Sequence, residues 1–472
     1  MTARAPVEYT TLRSVEGPLL VVEGVEGVGW DEQVEVELAG EVRQGVVLEV
    51  DRDLAVVQVF QGTDGMGRRG GRVRFRGGPA EVPVGEAWLG RACNGRGDPL
   101  DGGPPIVGRT SRSLAGLPIN PAARASPHEA VLTGVSAIDL LTTLVRGQKL
   151  PVFSSGGLPH LELAAQIAAQ ARVEGDAAAR FCIVFAAMGV THADAAMVRG
   201  VLERRAGEGD LSLIVNTADD PVVERILTPR IALTVAEHLA FDLDRHVLVV
   251  MADMTSYCEA VREVAAARGE VPGRRGYPGY LYSDLASLYE RCGRLQGRPG
   301  SLTQLPVLTM PAGDITHPVP DLTGYITEGQ LVLTPESWAR GVYPPFDALS
   351  SLSRLMRLGA GPGRTRDDHL EVASQAYAAL ARARQVRELA ELIGSEGVGA
   401  TDRSYLRFAD AFESLLVAQG QDEDRTLEGT LELAWQALSV LPDPELSRIR
   451  PELVAAHRRG GGSEGAAAAS AG

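Results

Sequence analysis

The amino-acid sequence predicts a multidomain protein: an N-terminal β-barrel, a central α/β domain with a mostly parallel sheet, and a C-terminal α-helical domain. Three observations carry this. Residues 8–77 hold short Val-rich runs separated by Gly- or Asp-containing turns, with little helical periodicity. Between 78 and 345, short apolar runs alternate with helix-like stretches, the pattern of a mostly parallel, doubly wound sheet. From 346 the apolar residues recur at helical spacing. A chain of 472 residues is too long for one ordinary core, so two or three domains are expected.

In order along the chain, the barrel strands are expected at 18–25, 33–38, 41–50, 54–60 and 72–76. The barrel domain then covers 1–77. In the central domain, 78–345, strands are expected at 150–154, 181–186, 211–216, 246–252 and 305–310. Helices fall between them at 161–173, 192–207, 229–241 and 256–268. Ligands of such a sheet bind at the carboxyl ends of its strands. In the helical domain, 346–459, the segment 367–394 places Leu370, Ala373, Tyr377, Leu380, Val386, Leu389 and Leu392 near helical spacing. Helices at 402–419 and 424–439 follow, and the low-complexity tail 460–472 is expected to be disordered.

Composition narrows the chemistry. Lys and Arg together number 46, yet Lys149 is the single lysine. A GC-rich coding sequence accounts for that skew as a whole. It does not supply a lysine where catalysis requires one, because a guanidinium is not an ammonium. A net charge of −15 disfavours broad nucleic-acid binding. Cys93, Cys182, Cys258 and Cys292 are far apart, without metal spacing, and read as buried thiols of a reducing compartment. No apolar run approaches a membrane span, and residues 1–20 lack the apolar core of a signal peptide. A cytoplasmic protein that does not itself insert in a membrane is expected.

The stretch Ser154-Ser155-Gly156-Gly157-Leu158-Pro159-His160-Leu161 joins a predicted strand to an Ala-rich helix. That is where a phosphate loop belongs, aiming backbone N–H groups and a helix N-terminus at phosphate oxygens. The working pattern is GxxxxGK[ST], with lysine on the β/γ-phosphates and a hydroxyl on Mg²⁺. Here Pro159 replaces the second Gly and removes an N–H. His160 stands in the lysine's place and Leu161 in the hydroxyl's. Lys149 lies upstream of the strand. By spacing alone the segment reads either as an ordinary strand–helix turn or as a decayed nucleotide site.

Longer strings carry a resemblance. They are LGRACNGRGDPLDGGPPI at 89–106, TGVSAID at 133–139, RGQ at 146–148, FSSGGLPHLELAAQI at 153–167, FAAMGVTHADA at 185–195 and VVMADMTSYCEAVREV at 249–264. YPGYLYSDLASLYERCGR at 277–294, LTMPAGDITHPVPDLTGYITEGQ at 308–330 and SLSRLMR at 351–357 complete the set. In this order they resemble the non-catalytic B subunits of V-type and A-type rotary ATPases over residues 8–455.

The resemblance implies that the central α/β domain is of the P-loop nucleotide-binding type with a degenerate Walker A, and a ring in which three such subunits alternate with three catalytic A subunits around a central shaft. It also implies contacts to central-stalk subunits, and to peripheral-stalk subunits on the barrel side. ATP or ADP with Mg²⁺ would sit at the A–B interface, bound mainly by the A subunit, with no cofactor held tightly by this chain alone. Catalytic relatives carry a glutamate after the second strand, where this chain reads Ala187-Met188-Gly189-Val190. Asp253 matches a Walker B aspartate, though a polar strand-end cap explains it as well. No intrinsic catalysis is therefore expected.

The resemblance further places an arginine finger at Arg354, offered to a neighbour's site. It puts Tyr325 at the nucleotide interface, where a core tyrosine is the competing reading. Gly156, Gly157, His160 and Asp253 are the remaining interface candidates, and no metal is assigned. Arg357 reads as a surface residue that could share a helix face with Arg354. Segments 275–283 and 313–318 read as inter-subunit or shaft-facing loops. Two other functions stay open: a catalytic hexameric motor, against which the missing GK[ST] argues, and a scaffold that contributes no residue to chemistry.

Overall fold

In Arg72–Pro79, Val73 and Phe75 face the interior while Arg72, Arg74 and Arg76 face out, the period-2 alternation of a half-buried strand. This strand belongs to a seven-stranded antiparallel sheet in the order Val7–Tyr9, Arg72–Pro79, Glu32–Leu38, Glu41–Asp51, Leu54–Val59, Leu19–Glu23, Leu12–Glu16. Its inner face packs Leu20, Val22, Val34, Val36, Val47, Val57, Val59, Val73 and Phe75 into one core. Each such side chain contributes ~1.5–3 kcal/mol on burial. The outward arginines meet acids across the sheet, Arg74 with Glu8 and Arg76 with Glu35. The five expected strands are present, and Val7–Tyr9 and Leu12–Glu16 join them. Their mixed polar composition hides them in the sequence.

The computed structural model describes residues 5–30, 32–38, 41–60, 62–67, 71–116, 119–206, 209–394 and 398–457. The tail expected at 460–472 lies outside the described residues. The chain forms two compact units: Met1–Ala125 with Arg180–Met310 and Asp314–Ile326, and Ser126–Ala179 with Pro311–Gly313 and Thr327–Gly472.

Beyond the barrel, the first unit holds parallel strands in the order Ala92–Asn94, Leu211–Thr217, Phe181–Val190, His246–Ala252, Ser301–Met310. Phe181–Val190 and Ser301–Met310 run past the strands expected there, and in the second of them Ser301, Thr303 and Gln304 are buried despite being polar. The helix expected at 229–241 runs instead over Val222–Glu237, with Pro229 inside it. Proline favours a helix start; here the helix passes through it and forgoes one N–H. All four cysteines are buried free thiols, and burial pushes Cys93 and Cys182 up to about 12.

In the second unit Val152–Ser155 runs parallel to Gly329–Val332, and Leu352–Ser353 runs antiparallel to the latter. The same unit carries helices His160–Gln170, His369–Ile393, Ala400–Phe412 and Leu427–Leu438. In His369–Ile393 the buried apolar stripe is Val372, Ala373, Ala376, Ala379, Ala383 and Val386. Of the residues at helical spacing, Ala373 and Val386 lie in this stripe while Tyr377, Leu389 and Leu392 are exposed. Small alanines carry the packing seam, so large apolar residues alone misplace the face. Gln419 ties the helical part to the TGVSAID segment: its Nε2 donates to Gly134 O (2.6 Å) and its Oε1 accepts from Ser136 N (3.0 Å). Among the described residues, no helix is long and apolar enough to cross a membrane.

Candidate functional site

The strand Val152–Ser155 leads into a tight turn and then helix His160–Gln170. Leu158 N–H closes on Ser155 O at 3.3 Å, and Gly157 has φ +83°, which a β-carbon disfavours. His160 N–H donates back to Leu158 O at 2.9 Å. Pro159 has no N–H and supplies no side-chain cap. Between 156 and 160, then, only the amides of Gly156 and Gly157 are left to reach outward. A phosphate cradle needs several convergent amides, and within the turn two of them, Leu158 and His160, are turned inward.

His160 does not replace the lysine. Its Nδ1 lies 2.9 Å from Leu158 O and 3.3 Å from Ser154 Oγ. A carbonyl only accepts, so Nδ1 carries the proton and the ring is folded onto its own loop. Lys149 is equally committed. Its Nζ is 3.0 Å from Glu328 Oε1, and its side chain is 5% exposed. The one ammonium side chain of the protein is thus spent behind the strand.

At the end of strand Phe181–Val190, Ala187 and Met188 are fully buried and no carboxylate appears. A residue without any sequence signal fills the neighbouring space. Arg225 donates through Nε to Asn216 Oδ1 (3.0 Å) and through a terminal nitrogen to Thr217 O and Ala218 O (3.4 and 3.3 Å). A β-carbon at Gly189 would stand 2.8 Å from Arg225 Nε. Burial lowers the Arg225 pKa. A single arginine inside a helix belongs to no motif, which is why the sequence does not mark it.

Asp253 is the N-cap of helix Met254–Ala267. Its Oδ1 accepts from Thr255 N (2.7 Å) and from Thr309 N (3.2 Å). One carboxylate oxygen therefore fixes a helix start to the end of strand Ser301–Met310. Tyr325, on helix Pro318–Ile326, is 74% exposed while its neighbours Thr323 and Ile326 are buried. The core reading of Tyr325 is thereby overturned. The loop segments 275–283 and 313–318 flank arginine–aspartate clasps: Arg274 pairs with Asp321 (3.1 Å) and Arg275 with Asp314 (2.7 Å).

Arg354 follows strand Leu352–Ser353 and is exposed. Its N–H donates to Glu328 O at 3.0 Å, and one guanidinium nitrogen reaches Thr327 O at 3.3 Å. Backbone and head are held, in both cases by a carbonyl. Helix Met356–Gly359 begins after Arg354, so Arg354 and Arg357 do not share a helix face. The first unit carries Asp253, Tyr325 and Arg225; the second carries Gly156, Gly157, His160, Lys149 and Arg354. Among the described residues, no group of three or more His, Cys, Asp or Glu is set to hold a metal ion. Where a phosphate loop places lysine and a hydroxyl, the turn has His160 and Leu161.

Comparison with known proteins gives the family. Residues 134–353 match the nucleotide-binding domain of the ATP synthase alpha/beta family, 13–77 its beta-barrel domain, and 358–458 the C-terminal domain of V and A type ATP synthase. The B subunit of the A-type ATP synthase of Aeropyrum pernix is 55% identical over 448 residues, covering 95% of this chain and 96% of that protein. The chain belongs to the ATP synthase alpha/beta family. The solved ATP synthase subunit NeqB of Nanoarcheaum equitans has the same fold, with a TM-score of 0.69 and 36% identity over 89% of this chain and 98% of that one. The nucleotide-binding match ends at Ser353, one residue before Arg354, and the C-terminal match begins at Leu358. Arg354 thus sits in the joint between two domains of the family.

Proposed function

We propose that this chain is the non-catalytic B subunit of an A-type ATP synthase, alternating with catalytic A subunits in a hexameric ring. It supplies Arg354 in trans to the nucleotide held by the neighbouring A subunit. The observation that carries this reading is a contrast within one unit. The turn at 155–160 directs the amides of Leu158 and His160 onto itself and Lys149 is bound to Glu328, while Arg354 stays exposed with its head on the Thr327 carbonyl.

A planar, permanently charged fork suits the spreading charge of a phosphoryl transition state. Such a finger is worth ~10³–10⁵ in rate. Stalk subunits are the further partners, and the complex lies on the cytoplasmic face of a membrane whose sector carries H⁺ or Na⁺. Co-purification with an A subunit tests the assembly, and ATPase assay of wild-type and Arg354→Ala assemblies tests the finger. Loss of turnover with assembly intact supports the reading. Near-normal turnover would leave a scaffold role, and turnover by the isolated chain would make it a motor in its own right.

A further inference from the structure

Arg354 acts only if its guanidinium is held to within a fraction of an ångström, because catalytic groups lose their effect when their supports are loose. The support is visible. Arg354 continues the antiparallel pairing of Leu352–Ser353 with Gly329–Val332, in which Gly329 lies opposite Ser353. The next pair along is Glu328 with Arg354, joined by the 3.0 Å bond from Arg354 N to Glu328 O. Gln148 Nε2 donates to that same carbonyl at 3.0 Å and to Ser353 Oγ at 3.0 Å. The position of Glu328 therefore sets the position of the Arg354 backbone.

Glu328 is in turn gripped by Lys149, through backbone and side chain. Lys149 N–H donates to Glu328 Oε2 at 2.8 Å, Lys149 Nζ sits 3.0 Å from Glu328 Oε1, and Glu328 N–H donates to Lys149 O at 3.0 Å. Backbone and side chain of Lys149 thus hold backbone and side chain of Glu328. This geometry also accounts for a lysine in a chain otherwise furnished with arginine. One carboxylate oxygen is already taken by a backbone N–H, so a single point donor fits the other, whereas a two-pronged guanidinium meets only one oxygen.

We propose that Lys149 is a positioning residue for Arg354, acting through Glu328; this rests on the reading of Arg354 as a finger. Lys149 touches no nucleotide. Its loss lets Glu328, and with it the Arg354 backbone, shift, and a misplacement of about 1 Å costs about 10²-fold in rate.

The test uses the assembled ring with its A subunit and compares Lys149→Met, Glu328→Gln, Arg354→Ala and the double variant Lys149→Met/Arg354→Ala. Lys149→Met and Glu328→Gln should each lower kcat by ~10-fold or more with KM for ATP unchanged, in assemblies that remain intact and melt above the assay temperature. In the Arg354→Ala background, Lys149→Met should add no further loss, because the residue it positions is gone. If Lys149→Met fails to assemble, Glu328→Gln alone decides. Normal kcat in the single variants, or a full additional loss in the double variant, overturns the positioning role while leaving Arg354 intact as the finger. Normal kcat in Arg354→Ala overturns the finger itself, and the positioning role with it.

Discussion

Lys149 and Glu328 bind each other three ways at once: lysine amide to carboxylate (2.8 Å), ammonium to carboxylate (3.0 Å), and, in the opposite sense, glutamate amide to lysine carbonyl (3.0 Å), in a slot that leaves the lysine side chain 5% exposed. Gln148 adds an indirect link, its amide nitrogen reaching Glu328 O at 3.0 Å. A phosphate-binding lysine must be free to meet its ligand, and this one is not.

That slot makes a prediction about the chain on its own. Lys149→Arg keeps the charge but buries a larger planar head with donors that find no acceptor. A buried unmet donor costs about 1–3 kcal/mol. Thermal or urea unfolding of the isolated chain should show a loss of that order. Unchanged stability would mean that the slot accommodates the fork.

The turn at 155–160 predicts what repair would do. Pro159→Gly, His160→Lys and Leu161→Thr together restore a loop amide, an ammonium and a hydroxyl. The triple variant should gain affinity for Mg-ATP, read by calorimetry. It should not hydrolyse, because Ala187–Val190 offers no carboxylate and Arg225 occupies the space beside Gly189. Turnover that scales with the concentration of the isolated variant contradicts this account.

The broken loop, the barrel and the strand–helix alternation are legible in the sequence because each is written in local order: turn residues, alternation and apolar runs. What depends on tertiary neighbours is not. Tyr325 in Thr323-Gly324-Tyr325 reads equally as core or surface, and only the packing of Thr323 and Ile326 turns it outward. Arg225 belongs to no motif, and the string that holds Glu328 does not mark its partner; their partners lie 9 and 179 positions away. The seam of helix His369–Ile393 is hard to read because alanine gives a weak apolar signal, yet it lets helices approach closely.

Asp253 illustrates the same limit and yields a stability prediction. A strand-end aspartate matches a metal-binding pattern by position, but its Oδ1 is engaged by Thr255 N and Thr309 N. Asp253→Asn keeps an acceptor oxygen and should be mild. Asp253→Ala removes the cap and should cost about 1–2 kcal/mol in chemical unfolding. Equal effects of the two substitutions would show that charge, not the cap, is what matters there.

Asp101 supplies the pH dependence. It accepts from Arg91 Nε (2.7 Å) and a terminal Arg91 nitrogen (3.0 Å), and from the amides of Ala92 (3.1 Å) and Gly103 (2.9 Å). The Arg91 hydrogen bonds come first among the causes that hold its pKa well below the ordinary 3.8. A carboxylate depressed in the folded state favours folding fully above its unfolded pKa, and that contribution is lost as pH falls through the folded value. Asp101→Asn should therefore melt below wild type at pH ~7, with a gap that closes only under acid conditions, below pH ~4. Melting temperatures measured across that range check the sign. A gap that widens on acidification, or one that stays constant throughout, would mean that the Arg91–Asp101 pair does not carry the difference.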